Sequence, residues 1–127
     1  IFVAEFIGSP SMNLLKGTFE QADGTPVFRL GTDAVLPLPI GVNQPPGTAA
    51  IYGIRPEYLS ISETGKGIPA KVIVVEPLGP LTMSVGDQML VAVFRERIDV
   101  QPDDVLWLAP QAARACLFTQ DGKRING

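Results

Sequence analysis

The sequence contains no histidine, and Cys116 is its single cysteine. Histidine is the commonest general base near neutral pH and a frequent metal ligand, so its absence removes both roles. A structural zinc site needs four ligands drawn mainly from cysteine and histidine, which this chain cannot supply. One cysteine also cannot form an internal disulfide, which is compatible with a reducing cytoplasm.

A phosphate-binding loop is missing too, because no Gly-x-x-x-x-Gly-Lys-Ser/Thr motif occurs. Gly65-Lys66-Gly67 and Gly122-Lys123 have a different spacing, which is typical of turns. Asp99, Asp103 and Asp104 lie near one turn, but their spacing does not match a calcium-binding EF-hand loop. We interpret them as solvated loop residues, and we expect no catalytic, cofactor-binding or metal-binding residues in this chain.

Charge and hydropathy disfavour two further classes of protein. The 10 basic and 13 acidic residues give a net charge of −3, whereas nonspecific nucleic-acid binding needs a basic stripe. The aromatic residues, six Phe, two Tyr and one Trp, offer few platforms for base stacking. No apolar run approaches the roughly 18 residues of a membrane-spanning helix, so any membrane association would go through partners.

Turn-forming residues are abundant in this chain of 127 residues, with 13 glycines and 12 prolines. Such a length suits one domain with a modest core, and frequent glycine and proline residues favour short strands joined by turns. About eight or nine alternating segments predict an all-β barrel or sandwich. The predicted elements are a hairpin over residues 14–30, an edge segment at 36–39, a central strand at 48–55, a strand at 68–76, a hairpin at 82–95 that turns at Gly86-Asp87, and strands at 105–108 and 115–119.

The first residues have a helical rather than a strand period. Phe2, Val3, Phe6 and Ile7 are spaced as one apolar stripe of a helix, which Gly8 would end. A helix this short is not stable alone, so the stripe must bury against the rest of the chain or against a neighbour. Because the sequence begins without methionine, we expect it to be part of a longer protein.

The stretch Tyr52–Leu59, in the middle of the chain, organises this pattern. An apolar strand runs into Gly53, and Pro56 must end or distort it because proline has no backbone N–H to donate. Arg55 and Glu57 are two residues apart, so both project to one face if the backbone stays extended. In one interpretation these residues shape a corner and hold neighbouring backbone; in the other, the corner is a contact surface.

Two motifs resemble those of a known family. Gly53-Ile54-Arg55-Pro56-Glu57 is similar to the signature of the C-terminal domain in ATPase subunits of sugar-type ABC importers. Phe2–Asn13 looks like the helix with which that family's chain leaves its nucleotide-binding domain. Together these two motifs are specific.

The tail adds a third motif, since Leu117-Phe118 with Asp121–Ile125 is similar to the closing hairpin of the same family. Two departures accompany it. The hairpin at Pro77–Leu81 is shorter than usual, and Cys116 stands where histidine is common.

The resemblance implies a fold and a function. The fold would be all-β, an OB-like transport-associated (TOBE) barrel of short antiparallel strands with a short N-terminal helix. Residues 1–13 would be a linker helix from a missing nucleotide-binding domain, and residues 14–127 the barrel. The parent subunit, of the maltose and glycerol-3-phosphate importer class, would bind ATP and Mg in the missing domain and energise import of a sugar or related solute. The barrel itself would serve regulation and dimerisation.

The resemblance also implies partners and a location. The partners would be the nucleotide-binding domain of the same chain, a second copy in a homodimer, membrane permease subunits through the parent, and regulatory proteins, but no nucleic acid. The subunit would be cytoplasmic and peripheral to the inner membrane. The candidate corner residues are Gly53, Arg55, Pro56 and Glu57, and the candidate interdomain contacts are Phe2, Phe6 and Ile7.

Two other functions suit an OB-like barrel. The first is a nucleic-acid-binding module, which the acidic balance and the few aromatics disfavour. The second is a small-anion-binding barrel, for which Gly8-Ser9 and Thr82-Met83-Ser84 are candidate ligands. Arg95 and Arg97 are a minor candidate for an acid-binding pair, because the alternative for that charged segment is a solvated strand end.

We expect the purified chain not to hydrolyse ATP, because it lacks both a phosphate-cradling loop and a metal-holding acid in a suitable context. Phosphate release would be measured against a buffer blank. Turnover that persists through purification to homogeneity would contradict this expectation.

Overall fold

A computed structural model describes residues 12–31, 34–63, 65–76, 79–96 and 98–126. Within these ranges the regular structure is β-strand, apart from two 3₁₀ helices at Pro56–Tyr58 and Ala112–Arg114. None of the helices found there has the length and apolar character that crossing a bilayer requires. The strands are β1 (Asn13–Ala22), β2 (Thr25–Leu30), β3 (Ala34–Pro37), β4 (Ala49–Ile54), β5 (Leu59–Ile61), β6 (Ile68–Val75), β7 (Leu81–Val85), β8 (Gln88–Ala92), β9 (Val105–Pro110) and β10 (Cys116–Thr119).

The strands form two five-stranded antiparallel sheets. The first sheet has the order β10-β4-β1-β2-β3, and the second has the order β5-β9-β6-β7-β8. Both sheets curl, which is consistent with an OB-like fold. The prediction of an all-β, OB-like architecture is therefore confirmed.

Two tight turns explain why the predicted hairpins form. Asp23 and Gly24, which join β1 to β2, both have positive φ, at 51° and 81°. Positive φ at both central residues is the signature of a type I′ turn, whose twist matches that of the flanking strands. Gly86, the first residue of the β7–β8 turn, has a φ of 61°, which suits a glycine at the start of a II′ turn. Local turn chemistry thus sets both hairpins.

One hydrophobic core lies between the two sheets, and side chains from both contribute to it. Three aromatic rings stand at its centre. The rings of Phe19 and Phe28 meet edge to face with centroids 5.5 Å apart, and Tyr52 lies 5.4 Å from Phe28. Burying a side chain of this size stabilises the fold by roughly 1.5–3 kcal/mol. The other fully buried large side chains of this core are Leu15, Leu36, Ile54, Ile68, Met83, Leu90, Leu108 and Leu117.

The two sheets meet at β1 and β8 through side-chain amides. The Asn13 side chain donates to the Val91 carbonyl and accepts the Val91 N–H, both at 2.8 Å. The Gln88 side chain accepts the Lys16 N–H at 2.7 Å and donates to the Lys16 carbonyl at 2.8 Å. Lys16 lies three residues after Asn13 on β1, and its partner Gln88 lies three residues before Val91 on β8. The two strands therefore run antiparallel, and a side-chain amide bridges them at each of these two contacts. We call this contact the amide seam.

The β10 edge of the first sheet is covered by the chain's own tail. Beside β10, the Thr119 N–H donates to the Lys123 carbonyl at 2.8 Å and the Ile125 N–H donates to the Leu117 carbonyl at 2.7 Å. The Asn126 side chain accepts the Leu117 N–H at 2.8 Å. Since an open strand edge is a template for aggregation, the folded-back tail protects β10.

Some elements differ from the sequence-based expectation. β5, with three residues, and both 3₁₀ helices were not predicted, because elements this short carry no periodicity. β8 ends at Ala92, whereas the pattern predicted continuation to Arg95. The predicted N-terminal helix, with Phe2, Phe6 and Ile7, lies outside the described residues.

Replacing Asn13 with alanine should weaken the amide seam. The substitution leaves the Val91 N–H and carbonyl without their side-chain partners, at an expected cost of about 1–3 kcal/mol in the free energy of unfolding. Urea denaturation would measure it.

Asn43→Ala is the matched control, since Asn43 is an exposed loop amide. A surface change of this kind should alter the unfolding free energy by less than about 0.5 kcal/mol. Equal effects of the two substitutions would mean that the seam contributes nothing to stability.

Candidate interaction site

The Gly53–Glu57 corner connects the two sheets. β4 of the first sheet ends at Ile54, Arg55 is still extended with φ −73° and ψ 148°, and Pro56 begins the 3₁₀ helix that leads into β5 of the second sheet. Proline suits the first position of a helix because no intrahelical bond needs its N–H. The same residue therefore stops one strand and starts the turn to the next sheet.

Backbone hydrogen bonds join this corner to two other parts of the chain. The Pro56 carbonyl accepts the Val93 N–H at 3.2 Å, just after β8, and the Tyr58 carbonyl accepts the Gln111 N–H at 2.9 Å, just after β9. The Arg114 guanidinium lies 5.1 Å from the centroid of the Tyr58 ring, in cation–π range. The corner is thus a junction of three loops.

The predicted corner residues differ in exposure. Gly53 and Pro56 are buried, Arg55 is half-buried and Glu57 is exposed. Arg55 and Glu57 would project to one face only if the backbone between them stayed extended. Pro56 starts a 3₁₀ helix instead, so this condition does not hold. The role of these residues as a contact surface stays a prediction.

Tyr52, which begins this stretch, is buried in the core. Its side chain is 0% exposed, and its hydroxyl donates to the Pro37 carbonyl at 2.7 Å. Burial raises the pKa of the Tyr52 phenol well above its ordinary value, because the ionised form would lose its hydration. This hydroxyl ties β4 to the end of β3.

The second sheet has an inner and an outer face with different burial. Val72, Met83 and Leu90 form one inward row across β6, β7 and β8, and each is at most 1% exposed. The neighbouring row crosses four strands on the outer face: Val105, Lys71, Ser84 and Met89. A register shift in β6 then brings both Ile73 and Val74 to the surface, as bulges do.

This outer face is unusually apolar. We define the outer patch as its four large exposed side chains, which are Ile73 (41% exposed), Val74 (47%), Met89 (53%) and Val105 (56%). Lys71 lies among them, and its charge is paired with Asp103 at 3.4 Å. Solvated faces of antiparallel sheets are usually polar, and a group of exposed apolar side chains on one such face indicates an interaction site.

The outer patch was not predicted from the sequence. Its signal was present in the segment 68–76, where apolar residues occupy both alternating positions near Val72–Val75. Such a run is compatible with a strand buried on both faces. Which face is left open depends on the sheet order, and local periodicity does not give that order.

An open groove of about 760 Å³ lies at the ends of β6, β7 and β8. Its described lining contains the carboxylates of Glu76, Glu96 and Asp99 against the one guanidinium of Arg95. This local charge balance disfavours acid binding by Arg95. Its predicted partner Arg97 lies outside the described residues.

The candidate anion ligands of β7 do not form a pocket. Thr82 and Ser84 are half-exposed on the open face of the second sheet, while Met83 between them points into the core. Gly8-Ser9, the other candidate, lies outside the described residues. Within the part of the chain that the structure describes, no group of three or more carboxylate or cysteine side chains could hold a metal ion.

Comparison with known protein families decides the identity of the fold. The model of the MalK OB fold domain matches residues 8–59, and the TOBE domain model matches residues 52–118, more than half of the chain. The chain belongs to the TOBE domain family. The resemblance inferred from the Gly53–Glu57 motif is therefore confirmed.

Two curated relatives match nearly all of this TOBE domain. The uncharacterized ABC transporter ATP-binding protein y4oS of Sinorhizobium fredii is 45% identical over 131 residues, which cover 100% of this chain and 34% of that protein. The sn-glycerol-3-phosphate import ATP-binding protein UgpC of Yersinia pestis is 33% identical over 130 residues, which cover 99% of this chain and 36% of that protein. The chain spans about a third of the length of these relatives.

We expect the stability of the TOBE domain to fall with pH above about 10, where the phenol of an unfolded tyrosine ionises. The folded state keeps the Tyr52 proton because its pKa is raised, so the unfolded state binds fewer protons and ionisation favours unfolding. Tyr52→Phe should cost about 1 kcal/mol near pH 7, where it loses one hydrogen bond.

The difference in unfolding free energy between wild type and Tyr52→Phe should shrink as the pH rises above about 10 and should then reverse its sign. Urea midpoints from pH 7 to 11 would show this. Parallel pH profiles for the two proteins would contradict a buried, un-ionised Tyr52.

Proposed function

We propose that this TOBE domain is an accessory domain of the ATP-binding subunit of an ABC importer, where it serves regulation and pairs the subunit with a second copy. The family match and the two relatives, both named as ATP-binding proteins, support the placement in such a subunit. UgpC is named for sn-glycerol-3-phosphate import, and for this chain we propose a sugar or a related solute.

The residues that this chain carries determine which steps we assign to it and which to the rest of the parent subunit. Hydrolysis of ATP with Mg takes place in another part of the parent subunit, and this domain contributes no catalytic group. Its partners are the nucleotide-binding domain of the same chain, the permease subunits through the parent, and regulatory proteins. The subunit works in the cytoplasm, at the inner membrane.

The outer patch is the observation that carries the pairing proposal. Its four side chains are between 41% and 56% exposed, and the one charge among them is already paired with Asp103. Two copies can therefore face each other across a two-fold axis without like-charge repulsion between unpaired groups. Symmetric contacts of one patch with itself are the commonest form of homo-oligomer.

The corner supplies rigidity for such a contact. Hydrogen bonds to the carbonyls of Pro56 and Tyr58 come from the segments after β8 and β9, so the ends of these two of the three patch strands are held to the 3₁₀ helix that follows β4. A regulator or permease that displaces the corner would shift the patch with it.

Sedimentation velocity across a concentration series tests the pairing. Met89→Lys, and separately Val105→Lys, should weaken the dimer at least about tenfold, which corresponds to roughly 1.4 kcal/mol each. The reason is that each places an unpaired ammonium within the buried contact.

Ile40→Lys is the matched control, because Ile40 is a fully exposed apolar residue in the loop between β3 and β4. It should leave the dimer unchanged. A wild-type chain that is monomeric at every accessible concentration, or three substitutions with equal effects, would rule out pairing through this patch.

A further inference from the structure

The loop between β3 and β4 presents one apolar side chain to solvent on a tight turn. The Val42 N–H donates to the Pro39 carbonyl at 3.2 Å, and Gly41 has a φ of 88°. A bond from the fourth residue of a turn to the first, with positive φ at the third, is the signature of a type II turn. Ile40 is the second residue of this turn, and its side chain is fully exposed.

The turn is fixed to the body of the domain on both sides. Before it, Leu38 packs against the core, and the Tyr52 hydroxyl donates to the Pro37 carbonyl at 2.7 Å. After it, Val42 is buried in the core, with 8% of its surface exposed. These anchors on either side hold Ile40 outward.

A second type II turn completes the loop. The Thr48 N–H donates to the Pro45 carbonyl at 3.1 Å, and Gly47 has a φ of 87°. The Gly47 N–H also donates to the Phe19 carbonyl of β1 at 2.7 Å. We call residues 39–48 the double-turn loop.

Covering the double-turn loop would remove few backbone donors from water. Some of its residues have no free N–H, because they are prolines or because the N–H is already bonded within the chain: Pro39, Val42, Pro45, Pro46, Gly47 and Thr48. A buried donor without a partner is what makes the burial of a loop costly. The desolvation cost of a contact at this loop is therefore low.

The loop also lacks charge. Between Asp33 and Arg55 the sequence has no Asp, Glu, Lys or Arg, and depletion of charged residues is typical of the centres of protein interfaces. A singly exposed apolar side chain is ordinary on a protein surface. Ile40 differs because it is held in one geometry on a loop that is uncharged and poor in free donors, and such preorganisation lowers the entropic cost of binding.

A lipid surface does not suit the double-turn loop. Membrane-surface segments bind anionic lipids through Lys and Arg, and this loop has neither. The chain has a net charge of −3, which anionic lipids repel, and even a myristoyl chain binds a membrane only marginally. The surface that suits Ile40 is an apolar, uncharged pocket of a protein.

We propose that Ile40 anchors this domain to the nucleotide-binding domain of its parent subunit by entering an apolar, uncharged pocket there. The inference rests on the proposed function, which supplies that domain, and is independent of pairing through the outer patch. The chain covers only 34% and 36% of its two relatives, so most of such a subunit lies outside this domain. A covalent tether holds that remainder at high effective concentration beside the loop, which favours it over a separate partner.

Cysteine labelling tests the anchor. Ile40→Cys is introduced into the isolated domain and into the complete subunit, and its reaction with a maleimide is followed on the peptide that contains residue 40. Labelling should be at least tenfold slower in the complete subunit, because the pocket covers the side chain.

Gln120→Cys is the matched control. Gln120 is exposed and is also the second residue of a tight turn, in which the Gly122 N–H donates to the Thr119 carbonyl at 2.9 Å. Its labelling rates in the two proteins should agree within twofold.

Equal labelling of Ile40→Cys in the isolated domain and the complete subunit would overturn the proposal. Protection that appears only with permease subunits, with anionic vesicles or on concentrating the isolated domain would also overturn it, since each result assigns the loop to another occupant. ATP hydrolysis by the complete subunit checks separately that the parent has a nucleotide-binding domain. Met89→Lys should leave the protection unchanged, so failure of the anchor is distinguishable from failure of pairing.

A substitution series at residue 40 gives a second measurement, with the reporter cysteine moved to the exposed Asn43 of the same loop. In the complete subunit, Ile40→Asp should raise the labelling rate of Asn43→Cys at least fivefold, because a carboxylate does not enter an apolar pocket. Ile40→Val should leave that rate within twofold. The urea midpoint of the isolated domain should be the same for both, since residue 40 is fully exposed there. Equal labelling of the two proteins would overturn the role of Ile40 as an anchor.

Discussion

Enclosure of β4 on both faces is the constraint on which the rest of the structure depends. Five of its six residues, Ala50–Ile54, are buried. Its inward side chains join the aromatic centre of the core, while on its outward side Ile51 is also buried and Gly53 lies beneath Met12 and Phe118. Its two neighbours, β1 and β10, are the strands that carry the amide seam and the folded-back tail. A strand that is enclosed in this way must end where the chain can turn out of the sheet. Pro56 provides this turn, because it stops β4 and starts a 3₁₀ helix.

Features set by neighbouring residues were predictable from the sequence. The two hairpins follow from Asp23-Gly24 and Gly86-Asp87, since these dipeptides suit the backbone that their turns require. The end of β4 follows from the missing N–H of Pro56. These elements depend on local geometry alone, which is why sequence patterns reveal them.

Features that depend on distant pairing were not predictable. From the sequence, Asn13 is an ordinary polar residue at the start of a strand, and only the position of β8 beside it gives it a partner. Met89 has the character of a core residue in the sequence, and only the sheet order shows that its face is open. The corner is an intermediate case. Its residues were found from the sequence, but the exposure of Glu57 and the bond from Val93 to Pro56 depend on the loops that surround it. Local pattern thus finds strands and turns, while surfaces depend on how the strands are arranged.

The amide seam also determines the order in which the fold can be completed. It joins Asn13 to Val91, 78 positions later in the chain, and such long-range contacts form slowly because a large loop must close first. During synthesis at about 5–20 residues per second, β1 waits several seconds or more for β8 to appear. Until the later strands emerge, the inner faces of β1 and β2 have no complete second sheet to cover them. The I′ turn at Asp23-Gly24, which needs no distant partner, is what can hold the first hairpin in register until the seam closes.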